Sequence, residues 1–393
     1  MRQALSDQGK PRVLIGGGGV AALEATLALR DLTADLVSIE LRSPRREFIY
    51  RPFAVGEPYG TARVLRYDLD RLAERCGASF HLGGILSVDA DRRRAISRDG
   101  VSISYDYLLL APGVRMLWAV PGAATFWGVA DEGGVGSIIR RLRAGSIRDV
   151  AFTMPSGCSW TLPVYELAFL ASAVLARSGV EGARLTIVTP EEEPLLIFGR
   201  TVADQMSRLL AGRGIEVVAG AHPVKFEDGL LTIAPGEPVE AEAVISLPHL
   251  EGRRIEGIPH DQEGFIPVDK HGRVSGVDRV FAAGDVTSFP VKQGGIATQQ
   301  ADAIAEAIAS EVGAGIEPAP FDPVLRGVLW TGEEHRYLYG RLTGGHGETS
   351  SLSEEPPWAE GEAKIVGRYL TSFLADIPDE RNQLLGVAPS SQP

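Results

Sequence analysis

At 393 residues the chain is longer than one ordinary domain, so two or three are expected, and 44% hydrophobic with 23% charged content is that of a globular protein with a large core. Thirty-nine basic against 51 acidic residues leave a net charge of −12, which argues against nucleic acid as a partner. The two cysteines, Cys76 and Cys158, form neither a CxxC dithiol nor a zinc pattern, so no metal is expected.

The opening run MRQALSDQGKPRVLIGGGG enters a strand without the apolar stretch of a secretory signal. No apolar run reaches the roughly 18 residues of a membrane span, and a reducing cytoplasm is the default compartment. Val13 to Ile15 form a short buried strand, Ala21 to Arg30 have helical composition, and Leu36 to Ile39 form a second strand ending at Glu40. This is a β-α-β unit with glycines at its first turn. In the best register Gly17 allows the tight turn, Gly19 lets the backbone approach a pyrophosphate, and Ala22 keeps the helix close to the sheet. The helix start offers free N–H groups to a phosphate, and Glu40 stands where a carboxylate accepts from a ribose diol. Glu24, inside the helix, reads either as a surface charge or as a cap on the turn.

A second α/β unit follows. Val150 to Thr153 and Leu185 to Val188 are its strands, joined by a helix after Pro163; RTVADQMSRLLAGRGIEVV adds a helix and a strand, and AEAVISLP closes it. Further on, the strand Val280 to Ala283 runs into Gly284-Asp285, and an alanine-rich helix begins beyond Gly294-Gly295. An aspartate there can accept from a polyol, and the helix start can face a carbonyl or anion. FAD offers both, while an Asp cap on an ordinary helix is the plainer reading. VLRGVLWTGEEHRYLYGRL reads as a β-hairpin, the polar stretch 343–356 as a mobile loop, and KIVGRYLTSFLADI as a helix. That helix carries Val366, Tyr369, Leu370, Phe373 and Ile377 on one face. Packing on the protein's own core or in a homodimer is favoured over peripheral membrane contact, because Asp376, Asp379 and Glu380 follow and only Lys364 and Arg368 are basic.

Taken together, these segments resemble the flavoproteins with two dinucleotide-binding domains, and among them the sulfide:quinone oxidoreductases and type II NADH dehydrogenases. The resemblance covers about residues 11 to 340. IGGGGVAALEA resembles the FAD fingerprint, and EFIYRPFAVGEPYG is similar to the segment that follows it in the sulfide-oxidising branch. YDYLLLAPG resembles the strand ending in A-T-G, with Pro112 for threonine, and brings in Ala111 and Gly113. GFIPVDKHGRVSGVDRVFAAGDVTSFPVKQGG resembles the closing FAD motif. The resemblance implies that Gly17, Gly19 and Ala22 cradle the pyrophosphate, that Glu40 holds the adenosine ribose, and that the Ile85 backbone meets the adenine. It implies that Gly284-Asp285 binds the ribityl chain and that Lys292 to Gly295, with Gly294 between them, lies by the flavin pyrimidine. A cation at Lys292 would stabilise a reduced, anionic flavin; a solvated loop lysine is the plainer alternative.

The expected fold class is α/β, with two Rossmann-like domains and a small C-terminal α+β segment. The FAD-binding domain takes 1–120 and 265–320, the second, NAD(P)-type domain 121–264, and the C-terminal hairpin and helix 321–393.

Three readings compete for the second unit's turn, PSGCSWTLPVYE. NAD(P)H would want G-x-G-x-x-G, where only Gly157 is present and Trp160 crowds the approach; Glu191 to Glu193 would serve its ribose. Against the sulfide-oxidising motif, similar to G-A-S-C-F-G-P-A-Y-E, the segment matches Gly157, Ser159, Pro163, Tyr165 and Glu166. The reactive cysteine falls on Trp160, however, with Cys158 two positions early and no cysteine after the closing motif. The third and preferred reading is a changed substrate pocket on the old scaffold, with Pro163 suited to the helix start. Trp160, Cys158 and Lys292 are the catalytic candidates. The resemblance implies an FAD-dependent oxidoreductase that takes electrons from a small reductant and gives them to a quinone or another acceptor. An NAD(P)H dehydrogenase with a degenerate fingerprint and a non-catalytic flavin redox sensor are the alternatives.

Overall fold

The computed structural model describes residues 9–129, 133–343, 346–359 and 363–377. Its first unit is built on a five-stranded parallel sheet in the order Val280–Ala282, Tyr107–Leu110, Arg12–Gly16, Ser38–Ser43, Ser79–Leu82. Successive side chains point to opposite faces of a strand. Val13 and Ile15 therefore join the main core, while Leu14 joins a second core that contains Val88, Ala95 and Ile103. Both faces are covered, which is why this strand reads as an unbroken apolar run. On the main-core face lies helix α1 (Val20–Thr33), rich in alanine and leucine. On the other lies an antiparallel meander, Ile85–Asp89, Arg94–Ser97 and Ser102–Ser104. The short helix α2 (Leu69–Arg75) starts at Asp68, whose side chain accepts from the Arg71 N–H.

The chain crosses to the second unit along Val114–Leu117 and returns along His249–Gly252, and the two segments pair antiparallel. The second unit is another five-stranded parallel sheet: Ala124–Thr125, Ala243–Ser246, Asp149–Thr153, Arg184–Val188, Ile215–Val218. Helices α3 (Val135–Arg143), α4 (Leu162–Ser178) and α5 (Arg200–Gly212) belong to it. Helix α4 is apolar nearly all round, and Val164 to Val174 are buried apart from Ser172.

Helix α6 (Gly294–Glu311) returns to the first unit and packs along α1. Next comes a three-stranded antiparallel sheet, Val324–Trp330, His335–Thr343 and His346–Ser353. The expected loop at 343–356 is therefore largely a strand. Its polar composition is that of a sheet edge, where water replaces a core on the outer side. The expected C-terminal helix is also shorter: only Leu370–Ala375, α7, is helical. Gly367 interrupts the amphipathic pattern, and the segment before α7 is drawn onto α1 and α6 instead. Val366, Leu370 and Leu374 are buried there, so this face packs on the protein's own core; Asp379 and Glu380 lie outside the described residues. Among the described residues, no helix is long and apolar enough to cross a membrane.

Candidate functional site

The strand Arg12–Gly16 ends in a turn that is tight for identifiable reasons. The Gly17 N–H donates to the Arg42 carbonyl at 2.8 Å, and any side chain at Gly17 would collide with the Ala111 carbonyl. A Cβ at Gly19 would instead meet nothing within 4 Å. Gly19 is the N-cap of α1 without a side-chain cap, so the helix start faces open space, and Ala22 is fully buried behind it. Ala111 pairs back through its N–H to Gly16 at 2.9 Å, and Gly113 beyond it is unobstructed. The Ile85 side chain packs where a Cβ on Gly16 would stand, 2.8 Å away.

Gly284 is 3.3 Å, measured from a would-be Cβ, from Ala21 and 3.4 Å from Ala297, which brings the closing segment to the glycine turn. Its N–H donates to Gln300 at 2.7 Å. The Asp285 carboxylate has no hydrogen bond or ion pair among the described residues; burial raises it, opposed by Lys292 and Arg51.. Arg51 is lowered by burial and by Arg45, with Asp285 opposing and Arg253 and Arg66 adding to the effect. The Arg253 Nε is buried without a partner. In a chain of net charge −12, an unpaired carboxylate with Arg51 in its reach and an uncapped helix start at one glycine turn are a donor and acceptor set that fits a dinucleotide's diphosphate and polyol.

Three predicted positions differ from expectation. Glu40 lies inside its strand rather than at the end, and its carboxylate already pairs with Arg12 and, at 2.6 Å, with Arg42. Burial would raise it, but these two arginines hold it below the usual carboxylate range. The Lys292 ammonium turns into its own loop: it donates to the Thr287 carbonyl at 2.5 Å and the Phe289 carbonyl at 2.7 Å, and lies 4.0 Å from the Phe265 ring centre. Burial lowers it to about 8. Glu24, read as a possible cap on the turn, instead accepts from the Tyr369 and Leu370 N–H groups.

The buried cation that approaches the start of α6 is Lys364, which the sequence did not flag. Its neighbour Ile365 would stand 2.7 Å from a Cβ on Gly294, and a Cβ on Gly295 would stand 3.9 Å from the Arg326 and Val366 carbonyls. Lys364 Nζ pairs with Glu166 at 2.5 Å, with the side chains 5% and 3% exposed, and sits 4.2 Å from the Trp330 ring centre. The Trp330 N–H donates to the same Glu166 oxygen at 2.9 Å, and Trp330 stacks between Phe53 and His335. Burial lowers Lys364 and raises Glu166, while their mutual attraction opposes both shifts. A lysine opening an otherwise apolar run was the available signal.

The turn 155–161 reaches the first unit directly, for the Lys292 N–H donates to the Ser159 carbonyl at 2.9 Å. Trp160 stacks on Phe126 with centroids 6.1 Å apart, and its ring lies 3.3 Å from where a Cβ on Gly128 would stand. Cys158 is partly accessible by area, yet it packs against the core, and burial pushes its thiol up to about 12. The Tyr165 hydroxyl donates to Glu191, which also accepts from Thr189 at 3.2 Å; burial raises Glu191 despite these bonds.

Residues 166–307 match the family model described as pyridine nucleotide-disulphide oxidoreductase. Over that segment the chain is similar to the pyridine nucleotide-disulphide oxidoreductases. An NADH dehydrogenase-like protein of Mycobacterium tuberculosis is 27% identical over 303 residues, 70% of this chain and 73% of the relative. Rhodocoxin reductase of Rhodococcus erythropolis is 26% identical over 302 residues, 71% of this chain and 65% of the relative. In fold, the chain is similar to the sulfide:quinone oxidoreductase of Aquifex aeolicus, with a TM-score of 0.79, 20% identity, and coverage of 97% of this chain and 93% of that one. The first unit's residues fit FAD as the cofactor.

Proposed function

We propose that this chain is an FAD-dependent oxidoreductase in which the second unit's turn has become a donor pocket rather than a nicotinamide site. The observation that carries the reading is the Ser159–Lys292 hydrogen bond, which seats the turn against the closing FAD segment. Trp160 stands where a pyrophosphate would approach, and Glu191, placed for a ribose, is engaged by Tyr165 and Thr189. Pro163, in the first turn of α4, removes one of the N–H groups a phosphate would use. NAD(P)H therefore fits this turn poorly.

In this reading Gly17, Gly19 and Ala22 present the start of α1 to the diphosphate, with Arg51 and Arg253 beside it, and Asp285 takes the ribityl hydroxyls. Ala111, Gly113 and Gly284 keep the backbone close, Ile85 borders the adenine, and Glu40 reaches the ribose with its remaining lone pairs. Gly294 and Gly295 face the pyrimidine end, where Lys364, more than Lys292, supplies the positive charge. Bound there, FAD would supply two-electron transfer from a small reductant to a quinone or other acceptor. The Lys364–Glu166 pair holds a proton at Nζ near the start of α6, and the Trp330 ring shields it from water on one side. With its thiol up at about 12, Cys158 supplies no thiolate for sulfide chemistry.

A second reading, an NAD(P)H dehydrogenase, is favoured by the name of the mycobacterial relative. Anaerobic titration of the purified yellow protein with NADH, NADPH and sulfide in turn separates the two. Slow or absent bleaching by all three is the expected result. Rapid bleaching by a nicotinamide would transfer the assignment to the second reading, and a colourless chain that FAD cannot reconstitute would remove both.

A further inference from the structure

Glu24 of α1 has no exposed surface. Its oxygens accept the Tyr369 N–H at 2.9 Å and the Leu370 N–H at 2.7 Å, so a residue of the first unit caps the start of α7. The approach is close enough that a Cβ on Gly367 would stand 2.7 Å from Glu24 Oε2. Asp302, from α6, shares a side-chain hydrogen bond with Glu24, while its Oδ1 is buried without a partner. Ionised carboxylates only accept, so two carboxyls bonded to each other must hold a proton between them. The same segment is fixed by the Ile365 N–H donating to the Tyr50 hydroxyl at 3.0 Å and by the Thr298 hydroxyl donating to the Val366 carbonyl at 3.0 Å. Lys364 is at its head.

We propose that the proton shared by Glu24 and Asp302 latches residues 364–370 onto α1 and α6 and thereby positions Lys364 against Glu166 beside the flavin site. When that proton is lost, two buried carboxylates face each other, and the segment loosens to let water reach them. Glu24 and Asp302 are thus positioning residues that act through Lys364, and the inference rests on the flavin reading above for what Lys364 serves.

The charged groups facing the pair are few. Arg368 and Glu306 are 3.5 Å apart, Tyr369 donates to Asp31 at 3.1 Å, and Arg75 of α2 lies 5.4 Å from the Phe373 ring centre. Asp376 follows α7, and the Lys364–Glu166 pair stands at the segment's other end. Burial raises Asp302 to about 8, with Glu24 adding to the shift and Arg368 opposing it; burial also raises Glu24, against the backbone N–H groups. Both carboxyls hold protons more tightly in the closed segment than in an open, hydrated one. The latch is therefore at full strength below the ordinary values of 3.8 and 4.5, weakens as pH rises, and is lost above about 8.

Hydrogen exchange of the flavin-loaded protein from pH 6 to pH 9, corrected for intrinsic base catalysis, tests this. Protection of the 365–370 amides should fall about tenfold or more across that range in the wild type. It should stay nearly flat in Asp302→Asn, which keeps a donor to Glu24 but has no proton to lose. The flavin absorbance should drift over the same pH range in the wild type and not in the variant. Arg368→Gln, which removes the cation favouring proton loss, should move the transition upward without disturbing the buried pair. Equal loss of protection in wild type and Asp302→Asn, or no transition in the wild type, would overturn the latch. So would an unmoved transition in Arg368→Gln. If the protein takes up no FAD, exchange on the colourless chain still decides the latch, and only the flavin reading fails.

Discussion

The two α/β units share one local plan, a buried strand, a turn and a helix, but treat the turn in opposite ways. At Gly17 to Gly19 the side chains are gone, the space before α1 is empty, and the surrounding polar groups are left short of partners. At Pro155 to Thr161 the corresponding space holds Trp160, and the nearby acid is sealed by a tyrosine and a threonine. A nucleotide fold is therefore not by itself a nucleotide site. What distinguishes the two is whether the polar groups at the turn are already satisfied within the protein.

The comparison breaks most visibly at Gly17. Gly17→Val drives a side chain into the Ala111 carbonyl and should cost about 3 kcal/mol or more, with loss of bound flavin, read by thermal unfolding and the flavin-to-protein absorbance ratio. Gly19→Ala is the control that sharpens it. Its Cβ enters open space, so stability should change by no more than about 0.5 kcal/mol while FAD affinity falls. In the second turn, Tyr165→Phe strips Glu191 of a buried donor and should cost about 1–3 kcal/mol by denaturant unfolding, with flavin content unchanged. The smallest effect is at Cys158. Cys158→Ser should leave flavin reduction by the true donor within about twofold, and the native thiol should alkylate far more slowly at neutral pH than a free cysteine, because its thiolate is scarce.

Much of the first unit was legible in the sequence because its signals are local. The strand, the glycines and Ala22 lie within a few residues of one another, and apolar runs mark both sheets. What escaped reading depends on partners far along the chain. Glu24 meets amides beyond residue 367, and Lys364 meets Glu166 from another unit. Glu40 stood in the expected strand with Arg42 two residues on and on the same face, a local signal that went unread, while Arg12 reaches it from the neighbouring strand. The stretch 343–356 was misread because an edge strand and a loop share a polar composition, and the last helix because a single glycine outweighed an amphipathic pattern.

The ribbon that joins the units has a consequence for how such a chain could diversify. Val114 lies opposite Gly252 and Leu117 opposite His249, so the second unit leaves and re-enters the first through neighbouring points. Topologically it is a cassette, and its contents can be exchanged without rethreading the fold that surrounds it. Such an exchange would have to preserve the Glu166–Lys364 pair, which ties the cassette to the C-terminal segment, and the Ser159–Lys292 hydrogen bond, which ties its turn to the first unit.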